Sequence, residues 1–215
     1  MKENESDWQL RYQNSEYLEM SIKRLNQEPL IWCSQFAEII NTINEGKNQI
    51  SINDIGCNVG HFCRVLKKIN LTTIYTGYDI SKTYINIAKD KFPNNKFYEL
   101  DIANEISTSS DISVISATLE HIIDWKRALK NIFTATKETV ILRSFFGKER
   151  ETQYFSKKEA VDSYPILQFS FEEIAVFAEE YGFNIKYLRD LATDSIPQYL
   201  GCSITRTQYI ALLQK

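Results

Sequence analysis

The stretch from Ile50 to Leu66, ISINDIGCNVGHFCRVL, constrains the fold more than any other part of the chain. Before its glycines the apolar residues are β-branched isoleucines, which is typical of a buried strand. After the glycines, apolar residues recur with helical spacing, at Phe62, Val65, Leu66 and Ile69. A strand, a glycine turn and a helix in this order predict a ligand cradle at the turn.

The spacing of the glycines indicates which ligand the turn binds. The dinucleotide fingerprint G-x-G-x-x-G, started at Gly56, would need glycines where the chain has Asn58 and His61. The chain instead has Asp54-x-Gly56-x-x-x-Gly60. We expect Gly56 to allow a positive φ and a close ligand approach, and Gly60 to allow close packing of strand and helix. Free N–H groups at the start of the helix are expected to meet an anionic or carboxylate group.

This motif resembles motif I of the class I S-adenosylmethionine (SAM) dependent methyltransferases, (D/E)-x-G-x-G-x-G, with Asn58 at the middle glycine. The resemblance implies an α/β fold: one Rossmann-like domain with a seven-stranded, mostly parallel sheet, helices on both faces and a C-terminal antiparallel strand pair. It also implies SAM as the cofactor and S-adenosylhomocysteine as its product. The implied cofactor contacts in this turn are Asp54, Gly56, Cys57, Asn58 and Gly60.

Further cofactor contacts are expected where later strands end. The predicted strand IYTGYDI contains Asp79, whose carboxylate can accept both hydroxyls of a ribose, in SAM or in NAD. In the resembled family an acid after the third strand takes the adenine amino group and the next apolar residue packs on the ring. The alternative for that acid is a helix cap. These positions, with the end of the fourth strand, give Asp79, Ile80, Asp101, Ile102, Ser116 and Thr118.

The N-terminal segment is predicted to form a helical cap over residues 1–46, ahead of a core over residues 47–215. Trp8, Arg11 and Tyr12 look like the family's W-x-x-R/x-Y entry, and Arg11 and Tyr12 are expected to reach the methionine carboxylate. The alternative is a surface helix that packs its aromatic side chains on the sheet.

The segment Leu119-Glu120-His121-Ile122-Ile123-Asp124 resembles the L-E-H-(V/I)-x-D segment of small-molecule methyltransferases of the ubiquinone-biosynthesis type. His121 is the first candidate for a general base, because an unperturbed imidazole titrates near ~6.5, and Glu120 is the second. The alternative is that both residues stabilise the start of the next helix or contact the cofactor. Some relatives bind a metal here, but two ligands are too few, and we predict no metal site.

The long polar and aromatic stretch over about 147–170 is predicted to be an acceptor-site insertion and a mobile cover. The alternative is that its aromatic side chains cover part of the core. The candidate acceptor contacts in and before this stretch are Arg143, Phe145, Tyr154, Phe155 and Tyr164.

Length and composition restrict the remaining possibilities. With 215 residues, 43% of them hydrophobic, the chain is long enough for one α/β domain with a full core. A formal charge of −3 gives no general attraction for nucleic acid. Its four cysteines form no C-x-x-C pair, and no apolar run has the length of a membrane span. We therefore expect reduced cysteines, a cytoplasmic location, and no nucleic-acid or membrane partner.

Three classes of function follow from these patterns. The leading one is a SAM-dependent methyltransferase acting on an oxygen or nitrogen of a small metabolite, in a biosynthetic or sugar-modifying pathway. A noncatalytic SAM-fold binding protein is an alternative, because methyl transfer needs no obligatory catalytic side chain. A nicotinamide-dependent oxidoreductase is disfavoured by Asn58 and His61, which stand where the dinucleotide fingerprint needs glycines.

Overall fold

The computed structural model describes residues 15–104, 106–156 and 163–215. Its α-helices over these ranges are α1 (Ser15–Leu25), α2 (Ile31–Ile43), α3 (Lys82–Lys91), α4 (Trp125–Thr134) and α5 (Phe171–Glu179). Short 3-10 helices span Phe62–Lys68 and Leu119–His121. The first five strands are β1 (Gln49–Ile55), β2 (Thr72–Asp79), β3 (Lys96–Glu99), β4 (Ser110–Ser116) and β5 (Thr136–Gly147). The remaining strands are β6 (Glu151–Ser156), β7 (Ser163–Ser170), β8 (Asn184–Arg189), β9 (Gln198–Gly201), β10 (Ile204–Arg206) and β11 (Gln208–Gln214).

The central sheet has the strand order β3-β2-β1-β4-β5-β11-β8. The pairs from β3 to β5 are parallel, whereas β11 runs antiparallel to both β5 and β8. The predicted α/β fold, with a mostly parallel sheet and a C-terminal antiparallel pair, is confirmed. Because β1 lies between β2 and β4, the connections that leave β1 and β4 diverge, and this leaves a crevice at the carboxyl ends of these strands.

Helices cover both faces of the sheet. On one face α4 and α5 bury Phe133 and Ile174, and on the other α2 and α3 bury Phe36 and Ile85. Serine and aspartate are preferred N-cap residues, and the sequence places Ser81, Asp124 and Ser170 directly ahead of three helical patterns. The side chains of these residues cap α3, α4 and α5, respectively. Helix α2 packs into the same apolar layer as β1. The predicted division at residue 46, between a helical cap and the core, therefore stays a prediction.

The stretch between β5 and α5 differs from the long connection that the sequence predicts. Its described residues form the antiparallel hairpin of β6 and β7. Phe155 and Tyr164 face each other across this hairpin, with ring centroids 5.3 Å apart. They pack with Phe145, Ile166 and Ile204 in a small separate core. Side chains alternate between the two faces of a strand, with a period of two. This explains why the aromatic residues of this stretch show no helical repeat.

The segment after Gly60 also differs in detail, because the predicted helix is a 3-10 helix rather than an α-helix. In the ranges that the structure describes, no helix is long and apolar enough to cross a membrane.

Candidate functional site

A cavity of about 590 Å³ lies in the crevice at the carboxyl ends of β1, β2 and β4. Ligand pockets usually measure about 300–1,000 Å³, so this volume suits a small molecule. Among the predicted cofactor contacts, Gly60 does not line the cavity, and Arg11 and Tyr12 lie outside the described residues. Those that do line it are Asp54, Gly56, Cys57, Asn58, Asp79, Ile80, Asp101, Ile102, Ser116 and Thr118.

The turn after β1 brings its backbone against the cavity. Gly56 has a φ of +73°, and a Cβ placed there would lie 2.1 Å from Oγ1 of Thr118. Asn58 adopts a φ of +52°, a conformation that asparagine tolerates better than most residues. Gly60 instead packs beneath α3, where a Cβ would lie 2.8 Å from the ring of Phe92. Gly56 thus gives access to the ligand, whereas Gly60 allows the turn to pack.

The N–H groups of residues 56–60 are all engaged within the protein, so the predicted anion contact is left to the N–H groups at the start of the following helix. Those of Gly56 and Cys57 donate to the carbonyl oxygen of Tyr78, at 2.8 and 2.9 Å. Those of Asn58, Val59 and Gly60 donate to Asp79 Oδ2, Asn58 Oδ1 and the carbonyl oxygen of Cys57. A diphosphate would need such groups as donors. The site therefore fits a nucleoside without a diphosphate better than a dinucleotide.

Two buried carboxyl groups, Asp54 and Asp79, face the same cavity. Tyr75 Oη donates to Asp54 Oδ2 at 2.6 Å, and the Ser81 N–H donates to Asp79 Oδ1 at 2.9 Å. Burial raises the pKa of Asp54 to about 7 and that of Asp79 to about 6, despite these donors. Carboxylate oxygens keep further lone pairs, so both groups can accept hydroxyl or ammonium donors from a ligand.

The loop after β3 contributes several residues to the lining of the cavity. Asp101 is exposed, and its Oδ1 accepts the N–H of Ala103 at 2.9 Å, in the manner of a local turn. Ile80 and Ile102 supply apolar surface beside it. These residues offer a planar ring both apolar side chains and a carboxylate.

Helix α1 contributes a face to the cavity that the sequence patterns did not predict. Tyr17, Met20, Ser21 and Arg24 line the cavity and are spaced i, i+3, i+4 and i+7 along the helix. This spacing was a usable signal, but the face mixes polar and apolar residues and so does not stand out as a hydrophobic stripe.

Two arginines, Arg24 and Arg64, lie with His61 where α1 meets the turn after β1. Arg24 and His61 line the cavity, and Arg64 Nη1 donates to the carbonyl oxygen of Arg24 at 3.1 Å. Burial, and then the charges of Arg24 and Arg64, lower the pKa of His61 to about 4. This corner suits a ligand carboxylate, with Arg24 as its counterion.

The loop from Ser116 to His121 contributes several residues to the lining of the cavity. The ring of His121 lines the cavity, and its Nδ1 lies 2.9 Å from the carbonyl oxygen of Pro165. A carbonyl oxygen only accepts hydrogen bonds, so Nδ1 carries the proton and the basic lone pair of the neutral ring is on Nε2.

The other predicted catalytic and acceptor residues divide into two groups. Tyr154 lines the cavity and is 54% exposed. Glu120 belongs to the same loop, but its side chain is buried and accepts a hydrogen bond from Ser144 Oγ at 2.7 Å. Arg143 is also buried, in an ion pair with Asp190 at 2.8 Å. The residues that do not line the cavity are Glu120, Arg143, Phe145, Phe155 and Tyr164.

Their surroundings explain these positions. Arg143 has its countercharge inside the protein, and Phe145, Phe155 and Tyr164 form the small core of the hairpin. Of the five candidate acceptor contacts that the sequence suggested, we therefore retain only Tyr154 as a proposed contact. Across the described part of the chain, no group of three or more histidine, cysteine, aspartate or glutamate side chains could hold a metal ion.

A sheet of this order, with a nucleoside-sized crevice and buried carboxylates at the ends of β1 and β2, defines the class I SAM-dependent methyltransferase fold. The sequence model of a family described as a methyltransferase domain matches residues 27–188. The chain belongs to this family, whose cofactor is SAM. A comparison with curated proteins finds no match.

Solved structures share the fold at low sequence identity. A SAM-dependent methyltransferase from Clostridium acetobutylicum is 14% identical, with a TM-score of 0.65 over 95% of this chain and 98% of that one. The magnesium protoporphyrin IX methyltransferase of Synechocystis, with bound SAM, is 15% identical, with a TM-score of 0.62 over 100% of both chains. An amino pentose methyltransferase from Micromonospora echinaspora is 10% identical, with a TM-score of 0.62 over 91% of this chain and 96% of that one.

Proposed function

We propose that this protein transfers the methyl group of SAM to an oxygen or nitrogen of a small metabolite. The observation that carries the proposal is a cofactor-type crevice that is lined both by the buried carboxyl groups of Asp54 and Asp79 and by the imidazole of His121. The structural neighbours named for small acceptors, a porphyrin and an amino pentose, support the same class of substrate.

The chain's own residues provide a place for each part of the cofactor. Asp79 would accept the ribose hydroxyls, Asp54 would face the ammonium group, and Arg24 would pair with the carboxylate. Asp101 and Ile102 would hold the adenine. Bound SAM supplies an activated methyl on a sulfonium, so the protein has mainly to align the acceptor with it, which can contribute up to about 7–11 kcal/mol.

The acceptor would enter between the Ser116–His121 loop and the hairpin. Ile122, Ile123, Tyr154 and Pro165 give this part of the cavity apolar walls, and His121 adds a polar group. In this position His121 Nε2 would take the proton of an acceptor O–H or N–H as the methyl carbon bonds to that atom and the carbon–sulfur bond breaks. The products are the methylated acceptor, the neutral thioether and a protonated imidazole, which releases its proton to water.

Isothermal titration calorimetry tests the cofactor assignment. The wild-type protein is expected to bind SAM and to show no comparable heat with NAD. The Asp79→Ala variant should bind SAM at least about tenfold more weakly, or about 1.4 kcal/mol, because it loses charge-assisted hydrogen bonds to the ribose. Unchanged affinity in a folded Asp79→Ala protein would remove Asp79 from the site.

The role of His121 is tested by His121→Ala with a metabolite pool or a purified acceptor. If Nε2 is the general base, kcat should fall on the order of a hundredfold while the SAM dissociation constant stays within about twofold. Turnover at the wild-type rate would assign catalysis to alignment alone. SAM binding without methyl transfer to any acceptor would favour a noncatalytic binding protein.

A further inference from the structure

The loop from Ser116 to His121 must keep a fixed conformation for its residues to line the cavity. Ser116, Ala117, Thr118 and His121 all line the cavity, whereas Leu119 is fully buried in the core. Ala117 has a φ of +52°, a left-handed conformation that is unfavourable for alanine. A strained residue persists only where its surroundings fix it, so the contacts that hold this loop matter for the site.

Two consecutive residues of β5 hold the loop near its two ends. Near its start, the carbonyl oxygen of Arg143 accepts the N–H of Ala117 at 3.1 Å, and Arg143 Nη1 lies 3.4 Å from Ser116 Oγ. Near its end, Ser144 Oγ donates to Glu120 Oε2 at 2.7 Å.

The contact at the end of the loop is made by groups that cannot touch a ligand. Glu120 is 1% exposed, Ser144 is 0% exposed, and neither lines the cavity. Burial raises the pKa of Glu120 to about 7, against the effects of the Ser144 hydroxyl and the Arg143 charge. A buried carboxyl group is unfavourable compared with an apolar side chain of similar size, so its presence calls for a geometric reason.

We propose that Glu120 and Ser144 are a positioning pair that fixes the imidazole of His121, the next residue along the chain, toward the acceptor. The hydrogen bond from Ser144 fixes the backbone at residue 120 on the sheet side, and the carbonyl oxygen of Pro165 fixes Nδ1 on the hairpin side. Nε2 then has one direction in the cavity. This inference rests on the proposed function, in which Nε2 is the general base.

The chain offers a well-matched set of variants. Glu120→Ala and Ser144→Ala remove the hydrogen bond, whereas Glu120→Gln retains an oxygen of similar position that can accept it. Ser113→Ala is the control, because it removes a similarly buried hydroxyl contact between β4 and β5, 2.6 Å from Thr136 Oγ1 and away from the loop. A general loss of stability would affect Ser113→Ala as well.

Nitrogen NMR of the imidazoles reads the position of His121 without any reaction. The chain has only His61 and His121, so the His121→Ala spectrum assigns both. Wild type, Glu120→Gln and Ser113→Ala are expected to share one sharp pattern with Nδ1 protonated. Glu120→Ala and Ser144→Ala should shift or broaden the His121 signals and leave those of His61 in place. Unchanged His121 signals in folded Glu120→Ala and Ser144→Ala would overturn the proposal.

A kinetic cycle tests whether the pair acts through His121. Glu120→Ala should lower kcat by at least about tenfold with little change in the SAM dissociation constant, since a small misplacement of a catalytic group is costly. In the His121→Ala background the same change should have no further effect. Additive losses would contradict the proposal. A wild-type protein that binds no SAM would instead overturn the proposed function, and the NMR comparison would still decide the positioning.

Discussion

Replacing Gly56 with alanine is expected to abolish measurable SAM binding. At a φ of +73° the new Cβ would lie 2.1 Å from Oγ1, 2.8 Å from Cγ2 and 3.0 Å from Cβ of Thr118. The whole Thr118 side chain would have to move, and its movement would alter the wall of the cavity. The left-handed backbone adds a cost of about 1–2 kcal/mol for any residue with a Cβ. Calorimetry with SAM and thermal unfolding measure the two effects separately.

Gly46 provides the matched control for this variant. It has a φ of +86°, and a Cβ placed there would meet nothing within 4 Å. Gly46→Ala should therefore lose only the stability that the left-handed backbone costs, and it should bind SAM normally. Adding Thr118→Ala to Gly56→Ala removes the two closest contacts and should restore part of the binding. Full SAM affinity in Gly56→Ala alone would show that the turn does not approach the cofactor closely.

Local patterns predicted most of the fold. The change of period across Gly56 and Gly60, and the caps at Ser81, Asp124 and Ser170, lie in single short segments, and each determines one boundary. The antiparallel C-terminal pair came from the resemblance to a family. The hairpin of β6 and β7 was missed because its small core is completed by Ile204, about forty residues further along the chain, which no local pattern in the hairpin can indicate.

In the predicted site, too, some residues were placed by the order of the strands, whereas the role of others depends on distant partners. Residues at strand ends, such as Asp54 and Asp79, were placed correctly at the cavity because topology alone brings them there. Arg143 was predicted to contact the acceptor, but its partner Asp190 lies 47 positions away and the pair is buried. The N–H groups of Gly56 and Cys57 are likewise not available to a ligand, because the carbonyl oxygen of Tyr78, on the neighbouring strand, accepts both of them. Residue types predict chemistry, but tertiary partners decide whether a group remains available.

The affinity for SAM is expected to fall about a thousandfold between pH 8 and pH 5. With pKa values of about 7 for Asp54 and about 6 for Asp79 in the free protein, only a small fraction of molecules has both groups ionised at pH 5. The apparent affinity scales with the fraction of protein molecules that is competent to bind. At pH 5 the ionised fraction is about one in a hundred for Asp54 and about one in ten for Asp79. Bound ammonium and hydroxyl donors would keep both carboxylates ionised in the complex. His61, with a pKa of about 4, stays largely neutral over this range.

The effect on stability has the opposite sign, which separates loss of binding from unfolding. Each carboxyl pKa is raised in the folded state, so stability from these groups is fully present below the unfolded value near ~3.9 and declines as the pH rises toward 7. As the pH falls and SAM binding weakens, Asp54 and Asp79 should therefore not lower the stability of the ligand-free protein. Calorimetry from pH 8 to pH 5 on wild type, Asp54→Asn, Asp79→Asn and His121→Ala measures the contributions. Each asparagine variant should lose its own step and His121→Ala should lose none, whereas a flat wild-type profile would mean that neither carboxylate contacts the cofactor.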